Sequence, residues 1–259
     1  MDAVIFDVDG TLLDSVDAHA RAWQEALADF GYHVRYEDVR AQIGKGGDQL
    51  MPVFVPADDL PRVGEDLERH RGDLFKRRYL LGLQPFAAVR DLVERILGSG
   101  RRIALATSAR ADEVETYKRI ARIEDLVAEE TTADDVERSK PHPDVFEAAL
   151  ERLGGMSAGR AIAIGDTPYD AEGAAKAGLA TIGMLCGGFP EADLLGAGCV
   201  AIYRDPADLL ERFDESPIVR PTTRPAAPRR DQPASPAPPP GGRRRASRAG
   251  ARRSRQMSR

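Results

Sequence analysis

The stretch AVIFDVDGTLLDS, residues 3–15, sets an unbroken apolar run directly against two carboxylates. Val4, Ile5 and Phe6 have the pattern of a strand buried on both faces. Asp7 and Asp9 follow at once, and Gly10 and Thr11 complete a turn. Two carboxylates at the end of a buried strand repel each other unless positive charge lies beside them. A compensating cation is therefore expected at this strand end.

Working outward, the same kind of apolar run returns at intervals. RIALATS (102–108), AIAIGD (161–166), LATIGMLC (179–186) and CVAIYRD (199–205) read as strands. Between them lie amphipathic stretches. FAAVRDLVERILGSG (86–100) places Val89, Leu92, Val93, Ile96 and Leu97 at helical spacing, and DVFEAALERLG (144–154) does the same with Phe146, Ala149, Leu150 and Leu153. YDAEGAAKAG (169–178) and PADLLERFD (206–214) complete the alternation, the latter opening with Pro206 at a favoured first helical position. Short buried strands alternating with helices predict an α/β fold, a Rossmann-like parallel sheet covered on both faces.

Residues 16–81 break the alternation. AHARAWQEALADFG, YEDVRAQIG and VGEDLERHRGDLFKRRYLLG read as helices, with no strand-like run among them. The expected organisation is a core over residues 1–15 and 82–214, an inserted helical cap over 16–81, and a tail over 215–259.

Charge separates the tail from the rest. Residues 216–259 carry twelve arginines and one acid, Asp231, while the 215 residues before them hold 25 basic and 41 acidic side chains. The tail is rich in Pro, Gly, Ser and Ala, and such a composition cannot bury enough apolar surface to offset ordering. It is expected to be a solvated extension whose only nucleic-acid contact would be non-specific. Cys186 and Cys199 form no metal-binding pair, which fits a reducing compartment. No secretory leader pattern opens the chain and no apolar run reaches the ~18 residues of a membrane span. The expectation is a cytoplasmic protein, monomer or homodimer, with no membrane partner.

In open parallel sheets, ligands bind beyond the carboxyl ends of the strands where strand order reverses. Those ends deliver Asp7, Asp9, Gly10 and Thr11 from the first strand, and Thr107 and Ser108 from RIALATS. AIAIGD delivers Asp166, with Asp170 four residues on, and Lys140 stands in RSKPHPD before a helix. Asp7 and Asp166, with a backbone carbonyl near Asp9, make a hard all-oxygen donor set suited to Mg²⁺.

Taken together, DVDGTLLDS, LATS, SKPHPD and GDTPYD resemble the four signature motifs of the haloacid dehalogenase superfamily. The helical insertion after the first motif is similar to the branch containing phosphoglycolate phosphatases and β-phosphoglucomutases. The resemblance implies that Asp7 attacks phosphorus and forms an aspartyl-phosphate, and that Asp9 protonates the leaving alcohol and then activates water. It further implies that Thr107 and Lys140 hold phosphoryl oxygens, with backbone N–H groups around Val8 to Gly10, and that Asp170 orients Lys140 or a metal-bound water. Asp7, Asp9 and Asp166 are the implied Mg²⁺ residues, and Gly10, Ser108, Lys45 and His19 the implied substrate contacts. Arg71 and Trp23 are further cap residues that could face the substrate, although a solvated charge and a core tryptophan are the plainer readings.

The implied substrate is a small phosphorylated metabolite. A phosphatase and a phosphomutase would use the same Asp7 and Asp9, and HARAWQEAL and GKGGDQL resemble a mutase cap. A dehalogenase would not need Asp9, and a phosphonatase would need a desolvated cap lysine, for which Lys45 is the candidate. A non-catalytic protein working through its arginine tail is the reading from another class.

Overall fold

The computed structural model describes residues 1–220. At its centre Val4, Ile5 and Phe6 lie in strand β1 (Ala3–Phe6), which pairs in parallel with β4 (Arg102–Ala106) on one side and β6 (Ala161–Gly165) on the other. The sheet has six strands in the order β5-β4-β1-β6-β7-β8, with β5 (Glu129–Thr131), β7 (Ala180–Met184) and β8 (Ala201–Tyr203) outside the central three. The chain builds one half to the left of β1 and then the other half to its right. The carboxyl end of β1 is therefore the switch point, where a crevice opens.

Side chains of β1 alternate between two cores. Val4 and Phe6 face an apolar cluster with Ile103, Leu105, Ile162, Ile164 and the helices α5 (Val89–Gly98) and α6 (Ala111–Ala121). Ala3 and Ile5 face the opposite layer, where α7 (Asp144–Arg152) and α8 (Pro168–Lys176) contribute Phe146, Ala149 and Ala174. A strand buried on both faces has no polar side, which is why its sequence reads as an uninterrupted apolar run. Two shorter helices, α9 (Glu191–Gly196) and α10 (Pro206–Glu211), follow β7 and β8.

Residues 16–81 hold α1 (Val16–Asp29), α2 (Tyr36–Arg40), α3 (Gly47–Phe54) and α4 (Leu60–Arg78). They enclose an apolar cluster of their own: Val16, Ala20, Trp23 and Leu27 of α1 meet Leu50, Met51 and Leu67. The spacing 16, 20, 23, 27 is one stripe of a helix. The chain crosses between core and cap through a two-stranded antiparallel ribbon of β2 (Leu13–Asp14) and β3 (Gln84–Pro85).

Three features depart from the sequence reading. Strand β5 is Glu-Glu-Thr, an edge strand with no apolar signature, and Lys118 on α6 pairs with its Glu130 at 2.7 Å. Helix α6 itself was not anticipated. The ordered chain also runs past the expected boundary at 214: Ser216 and Ile218 are fully buried, and the Ile218 carbonyl accepts from the Met1 ammonium at 2.9 Å. Ile218 looks like tail by composition but is buried in the same apolar cluster as Val4 and Phe6. The remainder of the expected tail lies outside the described residues. Among the described residues, no helix is long and apolar enough to cross a membrane.

Candidate active site

Asp7 leaves β1 buried at the floor of a cavity, with its backbone N–H donating to Ile164 O at 2.8 Å. The turn behind it closes through Gly10, whose φ of +80° is accessible to glycine at little cost. A side chain there would also collide with the Asp166 carboxylate, 2.3 Å from the position of a Cβ. Gly10 N–H donates to Leu13 O at 2.8 Å, so it cannot also hold a phosphoryl oxygen. The expected substrate contact at Gly10 is therefore corrected. The N–H groups of Val8 and Asp9 donate to no described residue.

Lys140 supplies the cation that the first strand called for. Its ammonium, entirely buried, donates to Asp7 Oδ1 and to Ala106 O at 2.8 Å and lies 2.8 Å from Asp170 Oδ1. Asp170 is held by the first turn of α8, where its Oδ2 accepts from Thr167 N and Oγ1 while Thr167 Oγ1 accepts from Asp170 N. This reciprocal cap fixes the carboxylate that fixes the lysine. Burial opposes the charge on Lys140, but the carboxylates of Asp170 and Asp7 outweigh it and raise its pKa above the ordinary lysine range.

Asp7, Asp166 and Asp170 each offer a carboxylate oxygen, and these three oxygens lie within 4.8 Å of one another. Burial, reinforced by Asp170 and Asp9 and opposed by Lys140, pushes Asp7 up to about 7. Burial beside Asp7 and Asp170 raises Asp166 well above the carboxylate range. Thr11 Oγ1 donates to Asp166 Oδ1 at 3.0 Å, but Oδ2 is buried with no partner among the described residues. A Cβ on Gly187 would come within 1.7 Å of this oxygen, so its cradle exists only because that residue is glycine. An orphaned oxygen in an all-oxygen cluster fits a divalent cation such as Mg²⁺.

The Asp9 side chain stands apart from this cluster. Its Oδ1 accepts from Ser15 Oγ at 2.6 Å and meets His19 Nε2 at 2.9 Å. Burial opposes the charge, yet His19 and Ser15 together hold Asp9 below its ordinary pKa. The Asp9 side chain thus faces Ser15 and the cap residue His19, and the expected metal contact at Asp9 is with its backbone carbonyl.

Thr107 is fully buried at the end of β4, its Oγ1 accepting from Ala109 N at 3.0 Å. Ser108 Oγ beside it has no partner among the described residues and lines the cavity above Asp7. That cavity, about 30 Å³, is walled by Asp7, Asp9, His19, Lys45, Arg71 and Glu113 among others. His19 is stacked on Phe75 with ring centres 4.0 Å apart and bonded to Asp9, so it positions that carboxylate as well as facing the cavity. Lys45 donates to Gln42 Oε1 at 2.6 Å and lies 4.6 Å over the Tyr169 ring, and burial lowers its pKa. It is more desolvated than its glycine-rich setting suggests. Ser15, Glu113 and Tyr117 had no signal in the sequence, since each reads as an ordinary turn, helix-start or core residue.

Residues 4–184 match the family model of haloacid dehalogenase-like hydrolases. A phosphoglycolate phosphatase of Aliivibrio fischeri is 30% identical over 71% of this chain and 84% of its own length. A phosphorylated carbohydrates phosphatase of Thermotoga maritima is 26% identical over 83% of this chain and 99% of its own. Among solved structures, a hydrolase from Pseudomonas syringae superposes with a TM-score of 0.75 at 28% identity, covering 82% of this chain and 98% of that one. The switch-point carboxylates, the buried lysine and the inserted helical cap stand in a chain that belongs to the haloacid dehalogenase-like hydrolase family.

Proposed function

We propose that the protein is a Mg²⁺-dependent phosphatase that hydrolyses a small phosphorylated metabolite in the cytoplasm through an aspartyl-phosphate on Asp7. The observation that carries this reading is Asp7 itself: one carboxylate oxygen is held by Lys140, and the residue opens into the cavity beneath the cap. The relatives named as phosphatases support the reaction class.

In this reading an Asp7 oxygen attacks phosphorus and the ester oxygen departs with its electron pair, taking a proton from the Asp9 carboxyl. Water then gives a proton to Asp9 and attacks the same phosphorus, releasing phosphate and regenerating Asp7. Lys140, the Thr107 hydroxyl and the N–H groups of Val8 and Asp9 hold the phosphoryl oxygens as charge develops. Asp7 and Asp166 would hold Mg²⁺, which would supply positive charge to offset the carboxylates and the phosphoryl group. Asp170 keeps Lys140 in place. The cap excludes water during the first transfer and admits it for the second.

The test is phosphate release from phenyl phosphate with Mg²⁺ and with excess chelator. Release only with the metal is expected; no release under any metal condition would overturn the reading.

A further inference from the structure

The cavity beneath the cap holds two charged groups that the reaction above does not use. Glu113, near the start of α6 in the core, is 2% exposed, and its Oε2 accepts a long hydrogen bond of 3.3 Å from Tyr117. No lysine, arginine or histidine among the described residues pairs with it. The first turn of a helix stabilises negative charge. The Glu113 carboxyl lines the cavity with this one long bond, an acceptor open to a donor.

Arg71 approaches from the cap. Its guanidinium stacks over Trp23 at 4.9 Å and lies 6.0 Å from the centre of the Phe75 ring. Stacking fixes the plane and leaves the edge donors free. Nε and Nη1 are buried and donate to no described residue. Arg71 and Glu113 line the same small cavity as Asp7 and Asp9, yet they form no ion pair with each other. Buried donors and acceptors left without partners are costly, so a site that keeps unpaired guanidinium donors and a nearly unpaired carboxyl apart is complete only with a ligand between them.

We infer that Arg71 and Glu113 read the leaving group, and that the substrate is the phosphate monoester of a small carboxylic acid bearing a hydroxyl or ammonium group. The inference rests on the phosphatase reading. The Arg71 guanidinium offers unpaired donors to a carboxylate, and Glu113 accepts from the hydroxyl or ammonium. The cavity between cap and core is small, which favours a compact leaving group.

Four three-carbon monoesters test it on the full chain with Mg²⁺: O-phosphoserine, 3-phosphoglycerate, the monoester of 3-hydroxypropionate, and glycerol 3-phosphate. Phosphoserine or phosphoglycerate should exceed both others in kcat/KM by at least about tenfold, the scale of one hydrogen bond to a charged group. Which of the two leads tells whether Glu113 takes an ammonium or a hydroxyl. Arg71→Met should shrink the advantage over glycerol 3-phosphate, with partial recovery in Arg71→Lys. Glu113→Gln should shrink the advantage over the hydroxypropionate ester. These are ratios between substrates for one variant, so a loss of folded protein does not mimic them. Equal kcat/KM for all four esters, with phenyl phosphate turned over, would overturn the inference and leave the phosphatase standing. Failure on phenyl phosphate as well would instead remove the phosphatase reading.

Discussion

The Lys140 ammonium lies 2.8 Å from Asp170 Oδ1 and also bonds Asp7, so one buried cation joins the loop before α7, the start of α8 and the end of β1. Three acidic side chains and one lysine share this dry space, and removing the lysine strands the carboxylates. Breaking a buried pair from one side costs about 3–5 kcal/mol. Lys140→Met should therefore lower Tm by on the order of 10 °C in metal-free buffer. Mg²⁺ should restore part of that loss, since it would neutralise the same oxygens. Melting curves with and without Mg²⁺ check both statements, and an unchanged metal-free Tm would show that the pair is not coupled to folding.

The same crowding gives a signed pH dependence. Asp7 has its folded-state pKa raised from 3.8 to about 7, and Asp166 is raised as well. A raised acid binds its proton more tightly in the folded chain, so its contribution is fully present below 3.8 and is lost as pH climbs through about 7. Metal-free protein should thus become more stable as pH falls from 8 towards 5. Saturating Mg²⁺ should flatten that slope by holding the carboxylates ionised in the folded state. A metal-free Tm that falls over this interval would contradict the assignment.

Asp7 and Asp9 face different neighbours, Lys140 and His19, and their replacement should separate. Asp7→Asn should abolish phosphate release. Asp9→Asn should retain slow turnover, lowered by about 10²–10⁴-fold, the usual scale of general acid–base help. Rapid quench with a labelled phosphate ester reads both: no covalent label in Asp7→Asn, and label that forms slowly and persists in Asp9→Asn. Label on Asp7→Asn protein free of deamidation would move the nucleophile elsewhere.

The first strand, the sheet and the residues at its carboxyl ends were legible in the sequence because burial on both faces writes itself as apolar runs, and each run hands over its chemistry at its end. Strand β5 was hidden because Glu129 and Glu130 sit at a sheet edge, where Lys118 and solvent satisfy them. The orientation of Asp9 was hidden for another reason: Ser15 and His19, the latter ten residues on and carried by a cap helix, decide where that carboxylate points. Glu113 looks like any acid in a first helical turn until the cap brings Arg71 to the same cavity. Contacts made between separately patterned segments leave no periodicity to read.

Ile218 illustrates the same limit and gives a stability test. It is fully buried against the core although it sits in a stretch otherwise poor in apolar residues. A chain ending at 214 should be less stable than one ending at 220 by about 1.5–3 kcal/mol, the scale of burying one large aliphatic side chain. Denaturant unfolding of the two chains measures the difference directly. Equal midpoints would mean that Ile218 packs without contributing.

Closure of the cap rests on few polar contacts beyond the β2–β3 ribbon. Tyr169 donates its hydroxyl to Ala41 O at 2.7 Å, Arg40 Nη2 donates to Gly187 O at 3.1 Å, and Asp48 accepts from Ser139 N at 3.1 Å. Tyr169→Phe removes the first of these while keeping the ring that lies under Lys45 and packs edge-on against Phe189. One such hydrogen bond is worth about 0.5–1.5 kcal/mol, enough to shift a two-state cap roughly 2- to 10-fold toward open. Amides of α2 and of the loop from Gly44 to Gly47 should then exchange faster by that factor, while those of β1 and β6, inside the sheet, should not change. The open cap should also raise KM more for a substrate that contacts Arg71 or Lys45 than for phenyl phosphate, whose leaving group offers neither residue an acceptor. Exchange unchanged in α2 would show that the remaining contacts, Arg40 to Gly187 and Ser139 to Asp48 among them, hold the cap without it, and that the Tyr169 hydroxyl is no latch.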